Sequence, residues 1–429
     1  MQNIQHIPAR WHTVLATAVL AIVFLTACSS NGAGGDSDET LQYTERSLTT
    51  LITGPTTQFQ DTFGDAVAIT DEYLAAGLPS HDNGIFNSGA VYVFRRTGTD
   101  RWDAGTKLQA SGTRSESELF GASVAIDDAY LVVGAPGRNS REGAVYVYRR
   151  TGFDTWDSGT QILAPVARRA ASTSFGGSVG LSGDYAIVGA LLGANASGAA
   201  YVFQRTGPNT WSDGIELAAD DGMSSDFFGA AVAIDGAYAV VGAYGDDGSD
   251  NENQGAAYVF YRDGAGSWSQ VAKLTAPNPG NRDRFGISVA IDGEFLVVGA
   301  DDEGESTGWA YVFRRTGPTS WDSGTRIVGP DSAAGDRFGE SVAIDGDYVL
   351  VGAPSHTIDS SPVAGAAYLF QRTPAAGSNA WAPLTKLTER ESDRDNSSVG
   401  ASVAIEGTQT VVGAPNAFGS TGRVWLYRR

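Results

Sequence analysis

Short apolar runs of small and β-branched residues recur along the chain, and each run ends at an aspartate or a glycine. In one copy, Ser123 to Ile126 is followed by Asp127 and Asp128 and then by a second apolar run at residues 131–135. In later copies the break is an Asp-Gly pair such as Asp292-Gly293, which is a strong signal for a tight hairpin turn. Runs of this length and composition predict strands.

Two further strands complete the repeated unit. Val145-Tyr146-Val147-Tyr148 alternates β-branched and aromatic side chains, which predicts one set on each face of a sheet. A turn containing Trp156 and a short run at residues 161–164 follow. Four antiparallel strands are the content of one propeller blade.

Two sequence markers count the copies, and successive copies start 53 to 61 residues apart. A Phe-Gly pair begins each of the first six units, at Phe63, Phe120, Phe175, Phe228, Phe285 and Phe338. Val399-Gly400 is a degenerate pair that begins the seventh. A glycine before the third strand recurs at Gly89, Gly143, Gly198, Gly255, Gly308, Gly365 and Gly422. The repeats predict an all-β fold, a seven-bladed β-propeller of four-stranded antiparallel blades.

The end of the chain indicates how the ring closes. The last unit stops at Arg429 without a fourth strand, and residues 51–55, ahead of the first Phe-Gly pair, resemble residues 274–277. The N-terminal strand is therefore predicted to complete the last blade, which would close the ring and protect both sheet edges.

The first 44 residues have a different character. Arg10 precedes an apolar run at residues 14–25, and Leu25-Thr26-Ala27-Cys28 has the pattern of a bacterial lipobox, with Cys28 as the lipidated residue. The alternative is a buried thiol in an unrelated signal anchor. We predict a lipoprotein signal peptide at 1–27, a flexible tether at 28–44 and the propeller at 45–429.

The formal net charge of −20 argues against two classes of partner. A strongly acidic domain disfavours nucleic acid and disfavours anionic lipid at the domain surface. The membrane would be reached only through acyl chains at Cys28.

The paired Phe-Gly and Gly-Ala-Pro markers, as at Gly134-Ala135-Pro136, Gly352-Ala353-Pro354 and Gly413-Ala414-Pro415, resemble those of FG-GAP repeat proteins. Those proteins are similar in fold to the head domain of integrin alpha chains. The resemblance implies a bacterial exported protein, with the outer membrane or cell surface as the expected location.

One departure from integrin-type repeats matters for cofactors. Their calcium loops lie between the first and second strands, and here that connection has shrunk to Ile-Asp-Gly-Asp-Tyr at residues 344–348. This connection is too short to supply the six or more oxygen ligands that calcium requires. We therefore predict no metal and no cofactor.

The histidines, the arginines at the strand ends and the turn tryptophans offer little catalytic chemistry. His81 and His356, outside the signal segment, are interpreted as exposed loop residues without a metal or a catalytic role, and no catalytic residue is assigned. The arginines that end the third strands, such as Arg150, are expected to pair with turn aspartates such as Asp157. The turn tryptophans, such as Trp156, are expected to staple the outer edge of each blade.

The variable segments connect the second strand of each blade to the third. They occupy residues 79–88, 136–142, 191–197, 244–254, 301–307, 354–364 and 415–421. In a four-stranded blade these loops and the blade-to-blade linkers emerge on one face, which we call the loop face. Function is usually carried by such loops on a rigid scaffold.

The acidic residues of two adjacent loops are the candidate partner-binding residues, against the alternative of a solvated surface. They are Asp246, Asp247, Asp250, Glu252, Asp301, Asp302, Glu303 and Glu305. The sequence thus predicts a lipid-anchored binding or adhesion propeller of the cell envelope, with a protein or a glycan as its unknown partner. An enzyme acting at the loop face or the central channel, and a scaffold within an envelope complex, are the alternatives.

Overall fold

The computed structural model describes residues 44–47, 50–169, 173–248, 252–358, 363–373, 379–389 and 396–429. Within these ranges the chain forms seven sheets, each with four antiparallel strands, and the prediction of an all-β, seven-bladed propeller is confirmed. The predicted signal peptide, Cys28 and almost all of the tether lie outside the described residues. No helix in the described part of the chain is long and apolar enough to span a bilayer.

The two inner strands of each blade surround a central channel and are joined by the tight turns that the sequence predicted. From blade 1 to blade 7, the first strands are Val67–Ile69, Ser123–Ile126, Ser178–Ser182, Ala231–Asp235, Ser288–Asp292, Ser341–Asp345 and Ser402–Glu406. The second strands are Tyr73–Leu78, Tyr130–Ala135, Tyr185–Gly189, Tyr238–Ala243, Phe295–Ala300, Tyr348–Ala353 and Gln409–Ala414. The second strands are almost entirely buried, because sheet and neighbouring blades cover both of their faces.

The two outer strands complete each blade. The third strands are Ala90–Gly98, Ala144–Arg149, Ala200–Gly207, Ala256–Arg262, Trp309–Gly317, Ala366–Thr373 and Arg423–Arg428. The outer strands of blades 1 to 6 are Thr106–Leu108, Thr160–Ile162, Ile215–Leu217, Trp268–Leu274, Thr325–Ile327 and Ala380–Thr388. Short strands Arg101–Trp102, Thr210–Trp211 and Ser320–Trp321 pair with the ends of third strands. The helical segments are single turns at Arg138–Arg141, Val166–Arg168, Gly193–Ala196, Glu303–Ser306 and Ala417–Ser420.

The N-terminal part of the described chain adds two strands to the last blades. Thr50–Ile52 pairs antiparallel with the third strand of blade 7, with Ile52 opposite Val424. Thr44–Ser47 lies parallel to the outer strand of blade 6, a pairing that we did not predict. The fourth strand of blade 7 therefore comes from residues that precede blade 1.

Blade packing explains the glycines of the Phe-Gly and Gly-Ala-Pro markers. A Cβ on Gly134 of blade 2 would lie 2.0 Å from the carbonyl oxygen of Gly176, the Phe-Gly glycine of blade 3. At the blade 7 to blade 1 interface, a Cβ on Gly413 would lie 2.1 Å from the Gly64 carbonyl oxygen. The backbones of adjacent blades approach so closely that only glycine fits, and this requirement recurs at every interface.

Side chains at the outer rim also join neighbouring blades. Trp156 of blade 2 packs edge-on against Tyr73 of blade 1, with ring centroids 6.0 Å apart, as expected for a staple. The predicted pairing of Arg150 with Asp157 is wrong, because the Arg150 guanidinium lies over the same Tyr73 ring, 5.0 Å from its centroid. The Asp157 carboxylate instead accepts the backbone N–H groups of Arg149 and Gly159, at 3.1 and 3.0 Å. The turn backbone therefore occupies the carboxylate that we had assigned to the arginine.

Candidate binding face

The loops and linkers form one continuous surface. The Thr62 N–H, in the linker before blade 1, donates to the Ser420 carbonyl of the blade 7 loop at 2.9 Å. The Thr62 hydroxyl also donates to Ser80 Oγ, in the blade 1 loop, at 3.4 Å. Each linker thus ties together the loops of two blades, so the loop face is held by hydrogen bonds across blade boundaries.

A carboxylate two residues before each Phe-Gly pair shapes the linker in most blades. Asp336 accepts the backbone N–H of Ala333 at 2.7 Å, and Asp226 accepts that of Met223 at 2.5 Å. Both aspartates are almost fully buried. This local hydrogen bond sets the turn that leads into the next blade.

The first predicted partner-binding residue, Asp246, is not on the surface. Only 2% of it is exposed, and its Oδ2 accepts a hydrogen bond from the Tyr258 hydroxyl at 2.5 Å. Lys273 Nζ lies 3.0 Å from the same oxygen. The sequence expectation of an exposed carboxylate is therefore wrong for Asp246, because two neighbouring strands supply partners that offset its desolvation.

Two residues of the second predicted loop are also buried. Asp301 is fully buried and lies 2.6 Å from Arg337 NH2 and 3.3 Å from Arg284 NH1. Glu303 accepts the Tyr311 hydroxyl at 2.8 and 2.9 Å, and burial raises the pKa of its carboxyl group to about 7. The expectation of exposed carboxylates is therefore wrong for Asp301 and Glu303 as well. These side chains stabilise the loop from within.

The remaining predicted residues do reach the solvent where the structure describes them. Asp247, Glu252 and Glu305 are exposed and Asp302 is half-buried, whereas Asp250 lies outside the described residues. The exposed residue Arg282 also lies at this edge, and its backbone N–H donates to the Glu252 carbonyl. The edge formed by blades 4 and 5 thus carries charges of both signs.

The two loop histidines are buried rather than exposed. His81 Nδ1 lies 2.8 Å from Asp61 Oδ2, and its Nε2 lies 2.7 Å from Lys107 Nζ. Because the ammonium group can only donate, Nε2 accepts and Nδ1–H donates to the aspartate. His356 repeats the contact with Asp336 at 2.6 Å. Both rings fasten a loop to its linker, and no group of three metal-ligating side chains occurs among the described residues.

Exposed apolar side chains mark the loop face, and sequence reasoning missed them. Ten large apolar side chains are exposed in the described ranges. Six belong to loops or linkers of the loop face: Phe59, Phe86, Val166, Met223, Val363 and Phe418. Three of the others, Leu51, Ile215 and Leu384, lie on outer strands, and only Phe153 lies in a turn of the opposite face. The phenylalanines among them could have been identified from the sequence, because they lie outside any alternating strand pattern.

Three of these phenylalanines lie in and around blades 7 and 1. Phe59 is 70% exposed, Phe86 59% and Phe418 46%. A Cβ on Gly419 would lie 2.8 Å from the Phe59 ring, so Phe59 covers the blade 7 loop that carries Phe418. Arg423 lies over the Phe418 ring, 3.1 Å from its centroid. The result is an aromatic surface beside a guanidinium group.

The channel offers less chemistry than the loop face. The hydroxyl groups of Ser123, Ser178, Ser288, Ser341 and Ser402 all donate to a glycine carbonyl of the next blade. Asp65 and Glu340 are the carboxylates among the described residues that line it, and desolvation raises the pKa of Asp65 to about 6. The channel serines thus serve blade packing.

Comparison with known proteins agrees with the geometry of the interfaces. A model of the FG-GAP repeat matches six segments, residues 50–94, 102–148, 161–203, 211–260, 268–313 and 321–370. No curated protein matches the chain. The six segments together cover more than half of the 429 residues, and they contain the marker glycines of blades 1 to 6. The chain therefore belongs to the family of FG-GAP repeat proteins.

Proposed function

We propose that this protein is a binding or adhesion protein that contacts a macromolecular partner, a protein or a glycan, through its loop face. The observation that carries the proposal is the distribution of exposed apolar side chains, six of which belong to that face. Apolar side chains that lie close together at a surface, as Phe59 does with the loop of Phe418, mark interaction sites, and aromatic anchors contribute most of the affinity at interfaces.

The spread of these side chains favours a large partner. Phe59 lies in the linker between blades 7 and 1, whereas Met223 lies in the linker between blades 3 and 4. Groups placed on separate blades suit a broad contact rather than a small-molecule pocket. Asp247, Glu252, Asp302 and Glu305 would contribute at the edge by steering a basic segment of the partner, so association would weaken with salt. We propose that binding needs no calcium.

Attachment to the bacterial envelope through Cys28 is the second part of the proposal. Its support is the pattern Leu25-Thr26-Ala27-Cys28 after an apolar run. We expect Cys28→Ser to move the protein from the membrane fraction into a soluble or unprocessed form. Membrane fractionation of cells that express each variant measures the change. Equal recovery of both variants in the membrane fraction would contradict lipid anchoring.

The loop face is tested with matched changes of exposed phenylalanine. The variant Phe59→Ser/Phe86→Ser/Phe418→Ser is expected to lose most of its captured partner from native envelopes while its melting temperature changes little. The control Phe153→Ser removes an equally exposed ring from the opposite face and should capture as the wild type does. Capture with and without a chelator tests the calcium-free part. Undiminished capture by the triple variant would contradict the choice of face.

A further inference from the structure

A polar cluster beneath the loop face recurs in the blades. It contains the hydroxyl of a third-strand tyrosine and a side chain from the loop above it. In blade 4 the pair is Tyr258 and Asp246, and in blade 5 it is Tyr311 and Glu303. In blade 2 the Arg138 guanidinium donates to the Tyr146 hydroxyl at 2.5 Å. A charged loop side chain therefore completes the hydrogen bonding of a buried phenol.

Blade 3 lacks this loop side chain. Its loop position is Gly193, and the linker position that holds a carboxylate in blades 4 to 6 is Thr173. The Thr173 hydroxyl is occupied, because it donates to the Glu142 carbonyl at 2.8 Å. A cavity of about 210 Å³ lies here, and Gly193, Thr173 and Tyr201 are among its lining residues.

Tyr201 is the third-strand tyrosine that lines this cavity. Only 3% of Tyr201 is exposed, and no hydrogen bond from its hydroxyl to another described residue is observed. Burial raises its pKa to about 12, so the phenol keeps its proton and acts as a donor. The corresponding tyrosine hydroxyls of blades 1, 2, 4, 5 and 6 each bond a side chain of a loop or linker, whereas Tyr201 borders the cavity instead.

The charges around the cavity are positive on balance. Arg168 and Arg169 both line it, together with Glu216. Arg168 Nε lies 2.8 Å from Glu216 Oε2, and Arg169 Nε donates to the Ala164 carbonyl at 2.7 Å. The remaining guanidinium N–H groups of two arginines are thus opposed by a single carboxylate. This balance favours an anion in a protein whose formal net charge is −20.

We propose that the blade 3 cavity binds a small carboxylate from solution, which takes the place that the Asp246 and Glu303 carboxylates occupy in blades 4 and 5. One oxygen of the ligand accepts the Tyr201 hydroxyl, and the carboxylate faces the Arg168 and Arg169 guanidinium groups. The cavity is smaller than a site for a drug-sized molecule, so the ligand is a short organic acid. The argument for this site does not depend on the partner contact proposed above.

Succinate is the probe, and its neutral analogue succinamide is the matched ligand control. We expect calorimetry on the wild-type protein to show one succinate site with a Kd of about 1 mM or tighter, and no site for succinamide. Tyr201→Phe and Arg169→Gln should each weaken binding about tenfold, the effect of one hydrogen bond to a charged group. Arg282→Gln removes an exposed guanidinium elsewhere on the loop face and should leave affinity unchanged.

The most direct test is a substitution that places a carboxylate of the protein itself in the cavity. A Cβ on Gly193 would lie 3.9 Å from the Gly198 carbonyl carbon, which leaves room to begin a side chain, and we expect the carboxylate of Gly193→Asp to occupy the site as Asp246 does in blade 4. Gly193→Asp should therefore abolish succinate binding.

Several outcomes would overturn the proposal. These are equal affinity for succinamide, tighter binding of phosphate than of succinate, undiminished binding to a folded Gly193→Asp, and no binding at ten times the expected Kd. If Gly193→Asp fails to fold, Tyr201→Phe and the two ligands decide the question.

Discussion

Deletion of residues 1–54 is expected to lower the free energy of unfolding by at least about 3 kcal/mol, comparable to the loss of one large buried side chain. The deletion removes Thr50–Ile52, the fourth strand of blade 7, and with it the buried side chain of Ile52. Ile52 packs in a cluster that contains Phe63 and Leu426, from blades 1 and 7. We expect the loss to expose a sheet edge and to weaken the contact between blades 7 and 1. Urea denaturation measures the change.

A shorter deletion separates ring closure from the other N-terminal contacts. Removing residues 1–49 takes away Thr44–Ser47, which pairs along the edge of blade 6, but keeps Thr50–Ile52. We expect this variant to unfold close to the full chain, because blade 6 keeps its four antiparallel strands. If both deletions unfold like the full chain, the N-terminal strand does not hold the ring closed.

Gly242→Ala is the second change with a large expected effect, a loss of about 3 kcal/mol or more of stability. A Cβ on Gly242 in blade 4 would lie 2.0 Å from the Gly286 carbonyl oxygen in blade 5. Because the obstructing atom belongs to the backbone, relief requires the two blades to move apart. Such a separation would disturb the packing of Phe285, which is fully buried. Thermal and urea unfolding of the purified variant measure the loss.

A glycine in the same blade provides the control. A Cβ on Gly264, in the turn before the outer strand, meets no atom within 4 Å, and its φ lies outside the left-handed region. Gly264→Ala should leave stability unchanged or raise it by about 0.5 kcal/mol, through the entropy of the unfolded chain. Equal stability of the two variants would contradict the argument that close backbone approach requires the marker glycines.

Much of the fold could be predicted because its determinants are local and repeated. The Asp292-Gly293 turn lies between two apolar runs, and the alternation of residues 145–148 reports a sheet face. Because the pattern occurs seven times, the number of blades could be predicted even though one copy has a degenerate marker. The strand Thr44–Ser47 was missed because nothing in its sequence marks it as a strand.

The candidate site was predicted less well, since a loop has no periodicity that tells which side chains point inward. Asp246 and Asp247 are neighbours of the same type, yet one is buried and the other exposed. The difference depends on Tyr258 and Lys273, which two other strands bring to Asp246.

The sequence by itself determined the repeat, the blade and the face on which variation collects, because turn glycines and strand alternation act between neighbouring residues. Only the tertiary structure decided which polar side chains hold the loops and which apolar ones remain exposed. It also showed that Gly193 leaves a cavity beneath Tyr201, a consequence of packing between a loop and a strand that no local pattern records. Burial is a property of contacts between distant residues, and the free energy of burying a charge depends on the partners that those contacts supply.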